Sequence, residues 1–215
     1  MALNRQKIQD LYRKRAERYD LTANLYYLIG FREWHYRQRA VDALQLKEGD
    51  VVVELGCGTG LNFPLLQRII GPEGRIIGVD LTDRMLEQAN KRVSRHGWNN
   101  VELVLADAAA FAFPAGVNGI LSTFALTLMP GHDRIIRVGR DSLAPGGRFV
   151  ILDLKKPENV PLCLTRFMVR LTAPFGVSLD LAERHPWESI EKHFPVTFYE
   201  EFFFGFVYLS TGEVG

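Results

Sequence analysis

The sequence predicts an α/β fold built on a mostly parallel sheet, and three observations carry that expectation. Val51-Val52-Val53-Glu54-Leu55 is a β-branched run that ends in Gly56-Cys57-Gly58-Thr59-Gly60, with a helix-compatible stretch behind it. Two further strand-like runs, Arg75–Asp80 and Val101–Asp107, follow at βαβ spacing, so that Glu54, Asp80 and Asp107 gather acids near one sheet edge. Apolar runs then keep alternating with amphipathic stretches until Thr197–Phe204 and Phe206–Ser210, which read as a closing antiparallel hairpin broken by Gly205.

The glycine turn is the most informative stretch. Glycine can take positive φ and let a ligand lie against the backbone, while the helix that follows aims its unpaired N–H groups at the turn. Together these form a nucleotide-type corner at the carboxyl edge of a sheet. The dinucleotide pattern G-x-G-x-x-G requires glycine where Leu61 stands, and no Lys-Ser/Thr pair follows to make a triphosphate loop. Glu54 would repel a pyrophosphate but suits a ligand bearing an ammonium or sulfonium group. Asp80 stands about 20 residues beyond the last glycine, where an ionised carboxylate accepts from a ribose diol. A helix N-cap, the structural alternative for such an acid, falls more naturally on Thr82 or Asp83.

Composition bounds the class. The chain has 215 residues, 47% apolar and 24% charged, which suits one α/β domain with a real core; residues 1–215 are read as a single domain. A formal charge of +1 gives no case for nucleic acid as a partner. Charge is uneven, however: residues 1–39 carry nine Lys/Arg against four acids, interleaved with Tyr26, Tyr27, Trp34 and Tyr36. That segment suits peripheral contact with a lipid surface or stacking on a flat substrate, the simpler account being burial against the sheet. Two cysteines, Cys57 and Cys163, form no disulfide framework, and no apolar run approaches the ~20 residues of a membrane span. The expectation is a cytoplasmic protein, peripheral to a membrane at most.

The remaining elements follow from periodicity. Asn4–Arg18 and Phe31–Leu44 read as helices within an amino-terminal segment, 1–46, that packs on the domain or lids its pocket. Phe63–Ile70, Met85–His96, Asp133–Leu143 and Leu181–His193 read as helices, with Gly97 as a stop. Val117–Phe124 and Phe149–Leu154 are the fourth and fifth strands, the latter after the turn Ala144-Pro145-Gly146-Gly147-Arg148. Pro161–Ser178, within an inserted stretch 155–180, reads as a helical segment near the acceptor pocket. His35 and His132 have no partners at metal-ligand spacing, and no metal is expected.

The glycine turn with its preceding acid, the two downstream carboxylates and the segment Arg18-Tyr19-Asp20 ahead of Trp34 and Arg37 resemble the class I S-adenosylmethionine (SAM) methyltransferases. Within them the chain resembles the ubiquinone/menaquinone C-methyltransferase and phosphatidylethanolamine N-methyltransferase group. It runs from about Gln6 to the end and is strongest over Val51–Leu154. It implies a Rossmann-like seven-stranded sheet with helices on both faces and SAM as cofactor. In that frame Glu54, Gly56, Cys57, Gly58, Thr59 and Gly60 are the first cofactor-binding motif. Asp80 takes the ribose, Leu81 and Met85 cover the adenine, and Asp107 with the backbone of Ala108 reads the adenine edge. Thr123 and Phe124 hold the amino acid tail, and Tyr19 closes over the cofactor or is a core tyrosine. The sequence departs from the family at Asn118, where many relatives have Asp, and at Thr127-Leu128, where some have His-His.

The reaction implied is methyl transfer by direct displacement, for which alignment supplies most of the rate. No base is apparent, so no catalytic residue is named. The acceptor is a small or lipophilic molecule, with a phospholipid amine at the membrane surface as one alternative and a non-catalytic SAM-binding module as another. A nicotinamide oxidoreductase is opposed by Leu61 and Glu54.

Overall fold

β1 (Val51–Leu55) forms where three valines in succession favour a pleated backbone, and all of it but Val51 is buried. It lies at the centre of the sheet because both its faces are apolar, as a strand covered by helices on each side requires. The computed structural model describes residues 31–157 and 184–215, with Asp10, Tyr12, Arg13 and Ala16. The expected helix over Asn4–Arg18 (those four residues apart), the apolar stretch Leu21–Ile29, Tyr19 and the Pro161–Ser178 segment lie outside the described residues.

In chain order the elements are α1 (Glu33–Ala43), β1, α2 (Phe63–Ile70), β2 (Arg75–Asp80), α3 (Asp83–His96), β3 (Val101–Leu105) and β4 (Val117–Thr123). There follow α4 (His132–Ser142), β5 (Leu143–Leu154), α5 (Pro186–His193), β6 (Val196–Phe202) and β7 (Val207–Glu213). The seven strands are ordered β3-β2-β1-β4-β5-β7-β6. β1 to β5 are parallel, while β7 runs antiparallel to both β5 and β6. The sheet reverses its order between β1 and β4, which opens a crevice at their carboxyl ends.

Alternate residues of each central strand feed two cores. Val52, Ile76, Leu121 and Val150 pack under α1, α2 and α3. Val53, Ile77, Ile120 and Ile151 pack with Ile135 and Ile136 of α4 and Ile190 of α5 on the other face. The period of two along the strands thus places helices on both faces.

Several boundaries differ from the sequence reading. β3 ends at Leu105, the Ala106 N–H donating to the Asp80 carbonyl (3.0 Å) as its last contact with β2, and Asp107 lies beyond the strand. β5 begins at Leu143, six residues early, since Leu143 pairs with Val117 and a bulge then restores register at Gly119 and Arg148. Asn118 is part of β4, and its Oδ1 accepts from the Val51 N–H at 2.9 Å, tying the start of β1 to its neighbour. α5 begins only at Pro186. The hairpin strands are Val196–Phe202 and Val207–Glu213, joined by a short 3₁₀ turn, Phe203–Gly205.

Gly78 in β2 sits under the Phe63 ring of α2. A Cβ there would fall 2.8 Å from Phe63 Cζ and 3.0 Å from Cys57 Sγ. Gly78→Ala is expected to lower stability by ~1–3 kcal/mol through overpacking, read as a lower urea midpoint with an unchanged slope.

Candidate functional site

The crevice holds a cavity of 370 Å³ lined by the glycine turn, the ends of β2, β3 and β4, and the loop after β4. The turn approaches that loop closely: a Cβ on Gly56, which has φ +67°, would lie 2.5 Å from Ala125 Cβ. Gly58, with φ +55°, faces open space instead, and its N–H donates to Asp80 Oδ2 at 2.9 Å. Asp80 Oδ1 accepts from the Thr82 N–H at 2.8 Å. Burial raises the Asp80 carboxyl above its usual range, and these two N–H groups oppose that shift. The same two contacts lock the carboxylate at the mouth of the turn.

Beneath the turn lies a buried polar chain. Glu54 is 1% exposed and its Oε1 accepts from Asn62 Nδ2 at 2.6 Å. Asn62 Nδ2 also donates to Thr123 Oγ1 at 2.9 Å. Arg37, from α1, donates to Thr123 Oγ1 at 2.6 Å and to Asn62 Oδ1 at 3.2 Å. Its guanidinium is itself held by Glu33, one helical turn back, with Nη2 to Oε1 at 2.7 Å. Glu54 Oε2 has no hydrogen-bond partner among the described residues. Burial pushes the Glu54 carboxyl up to about 8, against the Asn62 hydrogen bond and the Arg37 charge. One buried acid with a half-satisfied carboxylate thus stands next to a buried cation that reaches the cavity wall.

The loop after β4 is pinned from the other side. Asp153, near the end of β5, accepts from the Thr127 N–H at 2.9 Å and from the Leu154 N–H at 2.8 Å. Burial pushes its carboxyl up to about 6. Thr127 is thereby turned away from the cavity, whereas Leu128 and Met129 line it. Phe124 has φ +55°, uncommon for an aromatic residue, and its ring lies 5.2 Å from the Arg37 guanidinium carbon.

Of the residues singled out in the sequence, Gly56, Cys57, Gly58, Thr59, Asp80, Leu81, Met85, Asp107, Ala108, Thr123 and Phe124 line the cavity. Cys57 does so while its side chain joins the core. Glu54 lies behind the wall, bonded to Asn62, and Gly60 packs against the Phe63 ring. Tyr19 is outside the described residues. Asp107 Oδ1 accepts from the Ala109 N–H at 3.0 Å, which holds its loop at the cavity wall. Arg37, Asn62 and Asp153 were not expected in these roles. The sequence signals were an acid inside the apolar run of β5 and an Asn two residues past the last glycine. Arg37 lay hidden among many arginines. Tyr12 also lines the cavity, and Arg13 Nε donates to Asp83 Oδ1 at 2.8 Å. His132 opens α4 and is not among the lining residues.

Residues 1–175 match the model of the ubiE/COQ5 methyltransferase family. The chain belongs to that family. Among curated proteins, the ubiquinone/menaquinone biosynthesis C-methyltransferase UbiE of Hahella chejuensis is 30% identical over 146 residues, covering 67% of this chain and 58% of that protein. The demethylmenaquinone methyltransferase of Symbiobacterium thermophilum is 29% identical over 154 residues, covering 71% of this chain and 61% of that protein. The chain therefore spans about three-fifths of the length of these relatives. Among solved structures, the geranyl diphosphate C-methyltransferase of Streptomyces coelicolor, in complex with Mg2+, geranyl diphosphate and S-adenosyl-L-homocysteine, superposes with a TM-score of 0.64. It is 15% identical, covering 82% of this chain and 76% of that one, and the likeness is one of fold. As a ubiE/COQ5 family member the chain has the Rossmann-like class I methyltransferase sheet, with its closing antiparallel hairpin. Among the described residues no helix is long and apolar enough to cross a membrane, and no cluster of ligating side chains could hold a metal.

The raised carboxyls have a consequence for stability. With Glu54 titrating near 8 when folded and near 4.5 when unfolded, the folded chain binds the extra proton between those values. Stability of the unliganded protein is then full below pH 4.5 and falls as pH rises towards 8. The slope from this group is about 1 kcal/mol per pH unit. Asp153 adds the same sign up to about 6. Glu54→Gln is expected to flatten the decline between pH 6 and pH 8, as read from Tm by scanning fluorimetry against the parent; equal declines in both would refute the assignment.

Proposed function

We propose that the chain is a SAM-dependent methyltransferase that delivers its methyl group to a small lipophilic acceptor by direct displacement. The observation that carries this reading is the polar pair at the end of β1. Glu54 keeps an unpartnered Oε2 behind the wall, and Arg37, linked to it through Asn62, lines the cavity. An amino acid tail complements that pair, with its carboxylate towards the arginine and its ammonium towards the glutamate, a cation that would favour the ionised form of that buried carboxyl. Asp80, locked by Gly58 and Thr82, keeps lone pairs for a ribose diol. Leu81 and Met85 supply apolar faces for a purine, and Asp107 with the Ala108 N–H suits the purine edge. The methyl group would then lie towards Phe124, Leu128 and Met129, whose apolar surfaces favour an apolar acceptor and exclude water from the displacement.

In this arrangement the residues align rather than react. A sulfonium carbon is already activated, so holding the acceptor atom in line supplies most of the acceleration. The names of the curated relatives, a ubiquinone/menaquinone biosynthesis C-methyltransferase and a demethylmenaquinone methyltransferase, support a ring carbon of a lipophilic quinone precursor as acceptor.

Calorimetric titration with S-adenosylhomocysteine, with NADH as control, tests the cofactor. Binding of the first and not the second is expected, and the reverse would overturn the reading. Asp80→Ala is expected to weaken S-adenosylhomocysteine binding at least tenfold, about 1.4 kcal/mol. An unchanged dissociation constant in a folded variant would remove the ribose role. Arg37→Leu should weaken it by a similar factor while adenosine binding stays unchanged, since only the amino acid tail meets that side chain.

A further inference from the structure

The turn between β6 and β7 carries a feature the cofactor site does not use. Phe203, Phe204 and Gly205 occupy the left-handed region in succession, with φ of +49°, +57° and +81°. Two aromatic residues in that region are outliers, and strain of this kind is kept where the surrounding structure enforces it. Here the enforced geometry leaves Phe204 81% exposed, the most exposed large apolar side chain among the described residues. The ring does not stand alone. Phe203 lies 5.7 Å from it, Phe31 lies 5.4 Å from Phe203, and Phe124 lies 5.9 Å from Phe31. Phe124 lines the cavity. Four rings thus run from the surface to the site.

The rim of this tip is basic. Phe31 is followed by the exposed Arg32, and the tip glycine packs against Pro157, preceded by the exposed Lys156. The nearby acids Glu33, Glu200 and Glu201 are paired with Arg37, Arg39 and Lys155. Among the described residues, Arg32 and Lys156 are matched by no acid. An exposed aromatic wedge inside a cationic rim complements an anionic lipid surface, where the ring enters the acyl boundary and the cations meet headgroups.

We infer that the β6–β7 tip, with Phe204 at its apex, docks on an anionic bilayer, and that the Phe204–Phe203–Phe31–Phe124 row is the path by which an apolar acceptor leaves the lipid for the cavity. This rests on the lipophilic acceptor proposed above, but the docking itself is read independently of methyl transfer.

Co-sedimentation with phosphatidylcholine vesicles, with and without phosphatidylglycerol, tests it. The parent protein is expected to sediment with the anionic vesicles and much less with neutral ones. Phe204→Asp should lower the partition coefficient at least tenfold; aspartate accepts a left-handed backbone more readily than phenylalanine, so the turn is retained. Phe198→Asp, at a position 51% exposed on β6, should leave partitioning unchanged. No binding by the parent, no loss in Phe204→Asp, or equal loss in both variants would each overturn the inference. So would a dimer of the parent that Phe204→Asp dissociates while vesicles go unbound. S-adenosylhomocysteine titration of the same proteins separates the two failures: its absence in the parent would sink the cofactor reading, whatever the vesicles show.

Discussion

A carboxylate taken out of water at the end of a central strand is the constraint on which the site depends. Glu54 is buried because β1 is covered on both faces. An isolated buried carboxylate is costly, so it must be hydrogen-bonded, protonated or matched by a cation. Asn62 at the head of α2, Thr123 at the end of β4 and Arg37 of α1 supply the matching chain of contacts. Four elements are held together through one buried carboxyl and its hydrogen bonds. In the function proposed above, the half of the carboxyl left unpartnered is where the ammonium of the cofactor would complete what the fold leaves open.

The same logic shapes the two flanks of the cavity. Asp80 is buried yet held by two backbone N–H groups, so it presents a fixed acceptor rather than a mobile charge. Asp153 works from the rear, securing the turn whose Leu128 and Met129 form the apolar wall. Carboxylates at the carboxyl ends of parallel strands thus divide the work. Two lie behind the surface and hold geometry, while Asp80 and Asp107 stand at the cavity. An arrangement that orients a ligand and supplies an apolar wall suits a displacement that needs alignment more than proton transfer.

The sequence was most legible where local chemistry and tertiary role coincide. A valine run, a turn in which Gly58 must carry positive φ, and an acid 20 residues on are each dictated by backbone or ligand chemistry, and residues such as Gly56, Asp80 and Leu81 line the cavity. Reading was weaker where pairing decided the outcome. Leu143 belongs to a strand because Val117 lies beside it, and the Asn118 side chain ties down Val51 of the neighbouring strand. Neither neighbour is near in sequence.

By itself, then, the sequence determined the order of elements, the glycine turn and the acids at its edge, since period, turn chemistry and strand length are local properties. Only the tertiary structure decided that Arg37, alone among the described basic residues of the amino-terminal third, is buried beside Thr123. Only it turned Thr127 away from the cavity and aimed Phe204 outward. The physical reason is the same in each case. Burial and orientation follow from which distant segments pack together, and a side chain's chemistry is set by those neighbours as much as by its own type.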